Sequence, residues 1–237
     1  MSSYKKRYDG RKFDEMRPIK AQVGVIPNAD GSARFSFGNT KAIAAVYGPK
    51  QLHPQHMQIP DKGLLRCNYT MMSFSVTERI KPGPSRRSQE ISKVTEWALS
   101  SIVDLERFPS AVIDVHIMIE QADASTRCAG INAAVMALVQ AGIPMKEMAS
   151  SVSIGKCDET IVTDVSKEEE DYEDGEGATD MPFTILSNTK RISHLQLDGK
   201  VSQEKFSEAI KAAMKATEKI HEIQVKALKN IGEVIEA

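Results

Sequence analysis

The chain has 237 residues, 41% hydrophobic and 27% charged, enough for one large domain or two small lobes around a sizeable core. A formal net charge of −1 excludes a protein that grips nucleic acid through an overall positive field, so any such contact must come from local arginine patches. No run approaches the ~20 apolar residues of a membrane span, the Met1-to-Arg17 start has no apolar signal core, and Cys67, Cys128 and Cys157 suit reduced core thiols, so a soluble cytoplasmic protein is expected.

Strands crowd the first third. Ile19 to Ile26 and Ala33 to Phe37 alternate apolar and polar residues around Pro27-Asn28-Ala29-Asp30-Gly31, which predicts a hairpin. Lys41 to Tyr47 and Leu64 to Val76 continue the sheet, and Pro49 to Lys62 reads as a surface loop. His53 and His56 in that loop lack carboxylate or thiol partners and are not read as a metal site. Ile91, Val94, Trp97, Ala98, Ile102 and Leu105 recur at helical spacing over Ser88 to Glu106. Ala111 to Glu120 alternates as a half-buried strand with His116 on its polar face, and Cys128 to Gln140 is small and apolar throughout, as in a helix buried on most sides.

A hinge at Gly142 to Ala149 divides the chain into residues 1–149, carrying the arginine clusters, and 150–237, carrying an acidic segment. Four more strands are predicted in the second lobe at Val152 to Lys156, Thr160 to Val165, Phe183 to Leu186 and Ile192 to Leu197. A helical stripe then runs from an N-cap at Ser202 to Ile235. The acidic run Glu168 to Glu176, with Glu169, Glu170 and Asp171, reads as a solvated loop.

Three polar clusters carry chemistry. Ser85-Arg86-Arg87 and Ser125-Thr126-Arg127 place hydroxyls and guanidinium forks at predicted helix N-termini, where free amides and the helix dipole attract phosphate. Solvated surface for the arginines, and simple capping for Thr126, are compatible with the same residues. Asp174 and Asp180, six residues apart before Met181-Pro182, could hold a divalent metal or give a proton to a leaving oxygen.

The order of these clusters, with Tyr8-Asp9-Gly10-Arg11, Arg17-Pro18, Gly38-Asn39-Thr40-Lys41, Arg66-Cys67-Asn68-Tyr69, Phe74-Ser75, Glu78-Arg79 and Asp164, resembles the active exosome subunits of the RNase PH family across nearly the whole chain. The resemblance implies an α+β, RNase PH-like fold of mixed sheets packed with helices in two lobes. It implies a phosphate-dependent 3′→5′ exoribonuclease that releases nucleoside diphosphates and runs backwards to add tails. Inorganic phosphate as co-substrate would lie on Ser125, Thr126 and Arg127, and RNA on Arg66, Arg86 and Arg87. Asp174 and Asp180 would be catalytic and would hold Mg²⁺ or Mn²⁺.

Implied partners are single-stranded RNA 3′ ends, a related inactive subunit alternating in a hexameric ring, and cap subunits with S1/KH-type RNA-binding domains. A bacterial-type RNase PH that trims transfer RNA and a noncatalytic scaffold subunit are the alternatives on the same fold. A metal-dependent phosphotransferase or hydrolase that does not act on RNA is the most distant one. The chain departs from the pattern at Asn68, where many relatives carry arginine, and at Ser125, where they carry glycine; a positive φ at Ser125 would cost about 1 kcal/mol or more.

Overall fold

The computed structural model describes residues 4–237, so residues 1–3 of the expected first lobe lie outside the described residues. Among the described residues ten strands form two sheets. β1 (Ile19–Val23), β2 (Gly31–Phe37), β3 (Thr40–Gln51), β4 (Leu64–Met71), β5 (Ala111–Gln121) and β10 (Val234–Glu236) make a six-stranded sheet in the order β10-β1-β2-β3-β5-β4. Only the β4–β5 pair is parallel among its neighbours; the other pairs are antiparallel. β6 (Ala149–Cys157), β7 (Thr160–Thr163), β8 (Ala178–Leu186) and β9 (Ile192–Leu195) form an antiparallel sheet in the order β7-β6-β8-β9.

The helices are α1 (Arg86–Ser100), α2 (Thr126–Gln140), α3 (Lys167–Glu170) and α4 (Gln203–Lys229), with short 3₁₀ turns at Gln55–Met57 and Leu105–Arg107. α2 and α4 each touch both sheets and form the layer between them. That position demands small side chains, and α2 supplies Cys128, Ala129, Gly130, Ala133, Ala134 and Ala137, all buried. Gly31 gives β2 its close approach: a Cβ there would lie 2.2 Å from the Ala137 carbonyl. One apolar core runs from Phe35 and Ile117 of the first sheet through α2 to Val152 and Phe183 of the second.

The predicted hairpin, the half-buried β5 with exposed His116, the buried α2 and the four strands of the second sheet are all present. Several boundaries move: β3 runs on to Gln51 inside the expected loop, β1 ends at Val23 rather than Ile26, and β8 starts at Ala178 rather than Phe183. β4 ends at Met71 rather than Val76, and α1 ends at Ser100 rather than Glu106, with Trp97 63% exposed instead of on the buried stripe. The C-terminal helix starts as expected, with Lys205 N–H donating to Ser202 Oγ at 3.3 Å, but stops at Lys229. The chain then returns to pair β10 with β1, because Gly232 can take φ 90 and turn it back.

Candidate active site

β5 delivers its chain to a turn, Asp123-Ala124-Ser125, that opens α2. Ala124 and Ser125 both have φ 53, in the left-handed region that costs a non-glycine residue roughly 1–2 kcal/mol. Ser125 therefore adopts a strained conformation that glycine would take freely. Its hydroxyl lies 3.2 Å from the Val165 carbonyl and 3.4 Å from Asp164 Oδ1, so what it offers the cleft is backbone. Ser125 occupies the cap position, and Thr126 is the first residue inside the helix, buried. The Ala129 N–H meets the Ser125 carbonyl at 3.1 Å, and the amides of the preceding turn lie at the positive end of the helix dipole.

Arg127 is the cationic half of this corner. Its side chain is 14% exposed and its Nη2 lies 3.6 Å from Glu90. Its Nη1 is buried with no hydrogen-bond partner among the described residues. A buried donor left without an acceptor costs about 1–3 kcal/mol, so this guanidinium is built to meet an anion.

Opposite stands Asp180 on β8. Ser153, on the paired strand β6, donates to Asp180 Oδ1. Burial pushes the Asp180 carboxyl above the usual carboxylate range, Glu170 and Asp198 add to the rise, and Ser153 and Arg127 only partly oppose it. A carboxyl so placed holds its proton more tightly than a surface aspartate and suits proton donation. A cleft of about 1060 Å³ joins the two sides, its wall including Arg87, Thr126, Arg127, Lys167, Glu170 and Asp180.

The structure does not bring Asp174 to this wall. It lies on the exposed turn between α3 and β8, where Gly175 (φ 66) and Gly177 (φ 73) carry the chain outward. The carboxylate that joins Asp180 is Glu170, at the end of α3. Reading the acidic run as uniformly solvated is corrected twice over, because Glu169 is 1% exposed and bound by Arg7 at 2.7 and 2.8 Å and by the Tyr4 hydroxyl at 2.7 Å. A capping signature, Ser166 with Glu169 three residues on, was the readable sign of a helix inside that run.

The expected metal pair is likewise not assembled. Among the described residues no group of three or more histidine, cysteine or acidic side chains is placed to hold a metal ion. Asp180 alone of the expected pair reaches the cleft, so the protein fits only an ion that draws most of its ligands from water and substrate phosphates.

Of the expected RNA arginines, Arg87 is in the cleft wall. It is held at the start of α1 by reciprocal bonds, Ser88 N–H to Ser85 Oγ at 3.0 Å and Ser85 N–H to Ser88 Oγ at 2.9 Å. Arg86 is exposed on the same turn, outside the wall. Arg66 is bound to Asp114 at 2.7 and 3.0 Å, beside Lys50. It stands about 16 Å along β4 from Met71, the strand residue that reaches the cleft. Unforeseen members of the corner are Ser153, Lys167, Glu170 and His194. Burial and then Arg127 push His194 down to about 4, a neutral imidazole at ordinary pH, with neither ring nitrogen partnered among the described residues.

Comparison with known proteins agrees along most of the chain. Residues 15–144 match domain 1 of the 3′ exoribonuclease family, RNase PH, and residues 147–216 match its domain 2. The chain is 50% identical over 224 residues to exosome complex component Rrp41 of Thermococcus kodakarensis, covering 94% of this chain and 88% of that one. It is 46% identical over 225 residues to the same component of Archaeoglobus fulgidus, covering 94% and 86%. Rice (Oryza sativa) Rrp46 superposes with a TM-score of 0.81 at 26% identity, over 94% of this chain and 100% of that chain. A chain of the Archaeoglobus fulgidus exosome with RNA bound to the active site superposes at 0.79 and 24% identity, over 92% of each, a likeness of fold. With both halves matched in order and up to half of the aligned residues shared, the chain belongs to the RNase PH family of 3′ exoribonucleases.

Proposed function

We propose that this chain is the catalytic subunit of an exosome ring and shortens RNA from its 3′ end by phosphorolysis. The observation that carries the reading is the buried Arg127 Nη1, without a hydrogen-bond partner among the described residues, beside the amides that open α2 and facing a cleft whose Asp180 carboxyl is pushed above the usual carboxylate range by burial. Inorganic phosphate fits that corner: its oxygens can accept from Arg127 and from the amides of Thr126 and Arg127. RNA enters along Arg87, and its contacts are to phosphates, which carry no sequence information. Arg86 and Arg66, outside the wall, serve the upstream backbone in this reading.

An oxygen of the bound phosphate attacks the phosphorus of the last phosphodiester. One P–O bond forms, and the bond from that phosphorus to the 3′ oxygen of the penultimate nucleotide breaks. Asp180 gives its proton to that departing oxygen, and Arg127 and Arg87 offset the charge on the equatorial oxygens. The products are a nucleoside diphosphate and an RNA one residue shorter, and excess diphosphate reverses the exchange. Asp180 is instead ionised where it serves as a ligand of Mg²⁺ or Mn²⁺, which would draw its other ligands from water and phosphate oxygens and would supply charge neutralisation there.

The relatives' name, exosome complex component, supports assembly with other ring subunits. A related inactive chain alternating in a hexameric ring, with cap subunits bearing RNA-binding domains, all in the cytoplasm, completes the proposal. The test uses the assembly that co-purifies with the tagged chain and 5′-labelled single-stranded RNA, with and without inorganic phosphate. Shortening only with phosphate, with diphosphates released, is expected. Monophosphates released without phosphate would overturn the reading in favour of hydrolysis, and an inert intact assembly would favour a scaffold.

A further inference from the structure

The turn that opens α2 holds two consecutive left-handed residues, neither of them glycine, and such strain persists only where the surroundings over-determine it. The surroundings are specific. Arg17, buried ahead of β1, donates from Nε to Asp164 Oδ2 at 2.9 Å and from Nη2 to Asp164 Oδ1 at 2.6 Å. Its remaining nitrogen, Nη1, donates to the Asp123 carbonyl inside the turn. Thr40 Oγ1 lies 2.8 Å from the Asp123 carbonyl and 2.7 Å from the Ala124 carbonyl, and it accepts from the Asp123 N–H at 3.0 Å. Asp164, fully buried at the end of β7, accepts from the Arg17 N–H at 2.8 Å and faces the Ser125 hydroxyl at 3.4 Å.

Neither Arg17 nor Asp164 is in the wall of the cleft. They close on the back of the turn from the two sheets at once, Arg17 from the first and Asp164 from the second. We propose that Arg17, Asp164 and Thr40 are positioning residues for the attacking phosphate, holding the strained Asp123-to-Ser125 turn so that the Thr126 and Arg127 amides converge on one anion. The effect passes through the turn and not through RNA, whose arginine, Arg87, stands on another element.

This inference rests on the phosphorolytic reading of the same site. Asp164→Asn keeps the shape and removes the charge that orients Arg17; Thr40→Val is close to isosteric and removes only the hydroxyl. In the co-purified assembly, each variant is expected to raise the apparent KM for inorganic phosphate about tenfold, with RNA affinity in the absence of phosphate and kcat at saturating phosphate near wild type. Ser125→Gly, which takes the left-handed conformation freely, is expected to recover part of the Asp164→Asn loss.

A merely structural role would lower the folded yield and leave the phosphate KM of the folded fraction unchanged in both variants, and that result overturns the proposal. If Asp164→Asn does not fold, Thr40→Val decides alone. A wild-type assembly that degrades RNA without phosphate would sink the underlying reading and this one together, whereas a phosphate-dependent wild type with unmoved variants sinks only this one.

Discussion

Asp180 is held where its charged form is costly, which sets stability against function at one residue. Its folded pKa lies above the ordinary 3.8, so the native state binds this proton more tightly than the unfolded chain. The stabilising effect is complete below 3.8 and is lost as pH rises through the folded value, above which the buried carboxylate is a burden to the fold. Asp180→Asn is therefore expected to raise Tm at pH 7, with the gain vanishing in acid, while exonuclease activity falls about 10²–10⁴-fold through loss of the proton donor. An Asp180→Asn protein with a lower Tm at pH 7 would show that the carboxylate is paid for elsewhere in the cleft. The second carboxylate is decided by comparing neighbours: Glu170→Gln should slow RNA shortening at least about tenfold, while Asp174→Asn, on its exposed turn, should stay within about twofold. That Asp180, Thr126 and Arg127 lie along one cleft is the part of the site the sequence indicates, because each sits in the first turn or first residues of a regular element. Glu170 is not indicated, because spacing counted back from Met181-Pro182 passes through a glycine-containing turn whose path no periodicity records.

α3 is a single turn, too short to be stable by itself, and its order comes from what grips it. Arg7, fully buried, holds the Glu169 carboxylate with two nitrogens and reaches the Thr163 and Asp164 carbonyls at 2.8 Å each. Burial pushes Glu169 up, yet Arg7, the Ser166 N–H and the Tyr4 hydroxyl together bring it below the usual carboxylate range. Removing one partner of such a pair strands the other, so Arg7→Ala is expected to cost about 3–5 kcal/mol in chemical denaturation. It should also lower activity in the protein that remains folded, since α3 carries Glu170 and Lys167 into the cleft. Unchanged activity per folded molecule would separate the lock from the site. The opposing flank, β9, adds a pH response of the other sign. With His194 at about 4 against its ordinary 6.5, the unfolded chain takes the proton first. Stability from this residue is present above 6.5 and is lost as pH falls toward 4, by about 3 kcal/mol. His194→Gln should flatten the Tm profile across that window. The periodic elements, α2 and β5 above all, were readable because burial on one or all faces leaves a pattern in the sequence. The N-terminal lock was not, because its contacts span more than 150 residues with no local pattern.

The two halves that the sequence suggests are joined at both ends of the chain. The N-terminal segment, through Arg7, Arg11 and Arg17, is bound to Glu169 and Asp164 beyond the second sheet's strand β7. The C-terminal segment leaves α4 and returns to the edge of the first sheet, where Ile19 N–H meets the Ala237 carbonyl at 2.7 Å and Ala237 N–H meets the Ile19 carbonyl at 2.9 Å. Three consecutive residues, Lys20, Ala21 and Gln22, pair with Glu236, Ile235 and Val234. β10 is too short and too exposed to announce itself by alternation, and what holds it is backbone pairing, to which sequence pattern is blind. Its function in the whole molecule is to cover β1, whose buried Ile19, Ala21 and Val23 would otherwise border an open edge. Truncation after Lys229 is expected to cost roughly 1 kcal/mol for each backbone bond between the last residues and β1, with the exposed Lys20–Glu236 pair adding little. Size-exclusion chromatography with light scattering should then show self-association through the bared edge of β1, which Tm alone would not reveal. A truncated protein that stays as stable and as dispersed as the full chain would mean that α4, packed across both sheets, carries the closure of the molecule without its final strand.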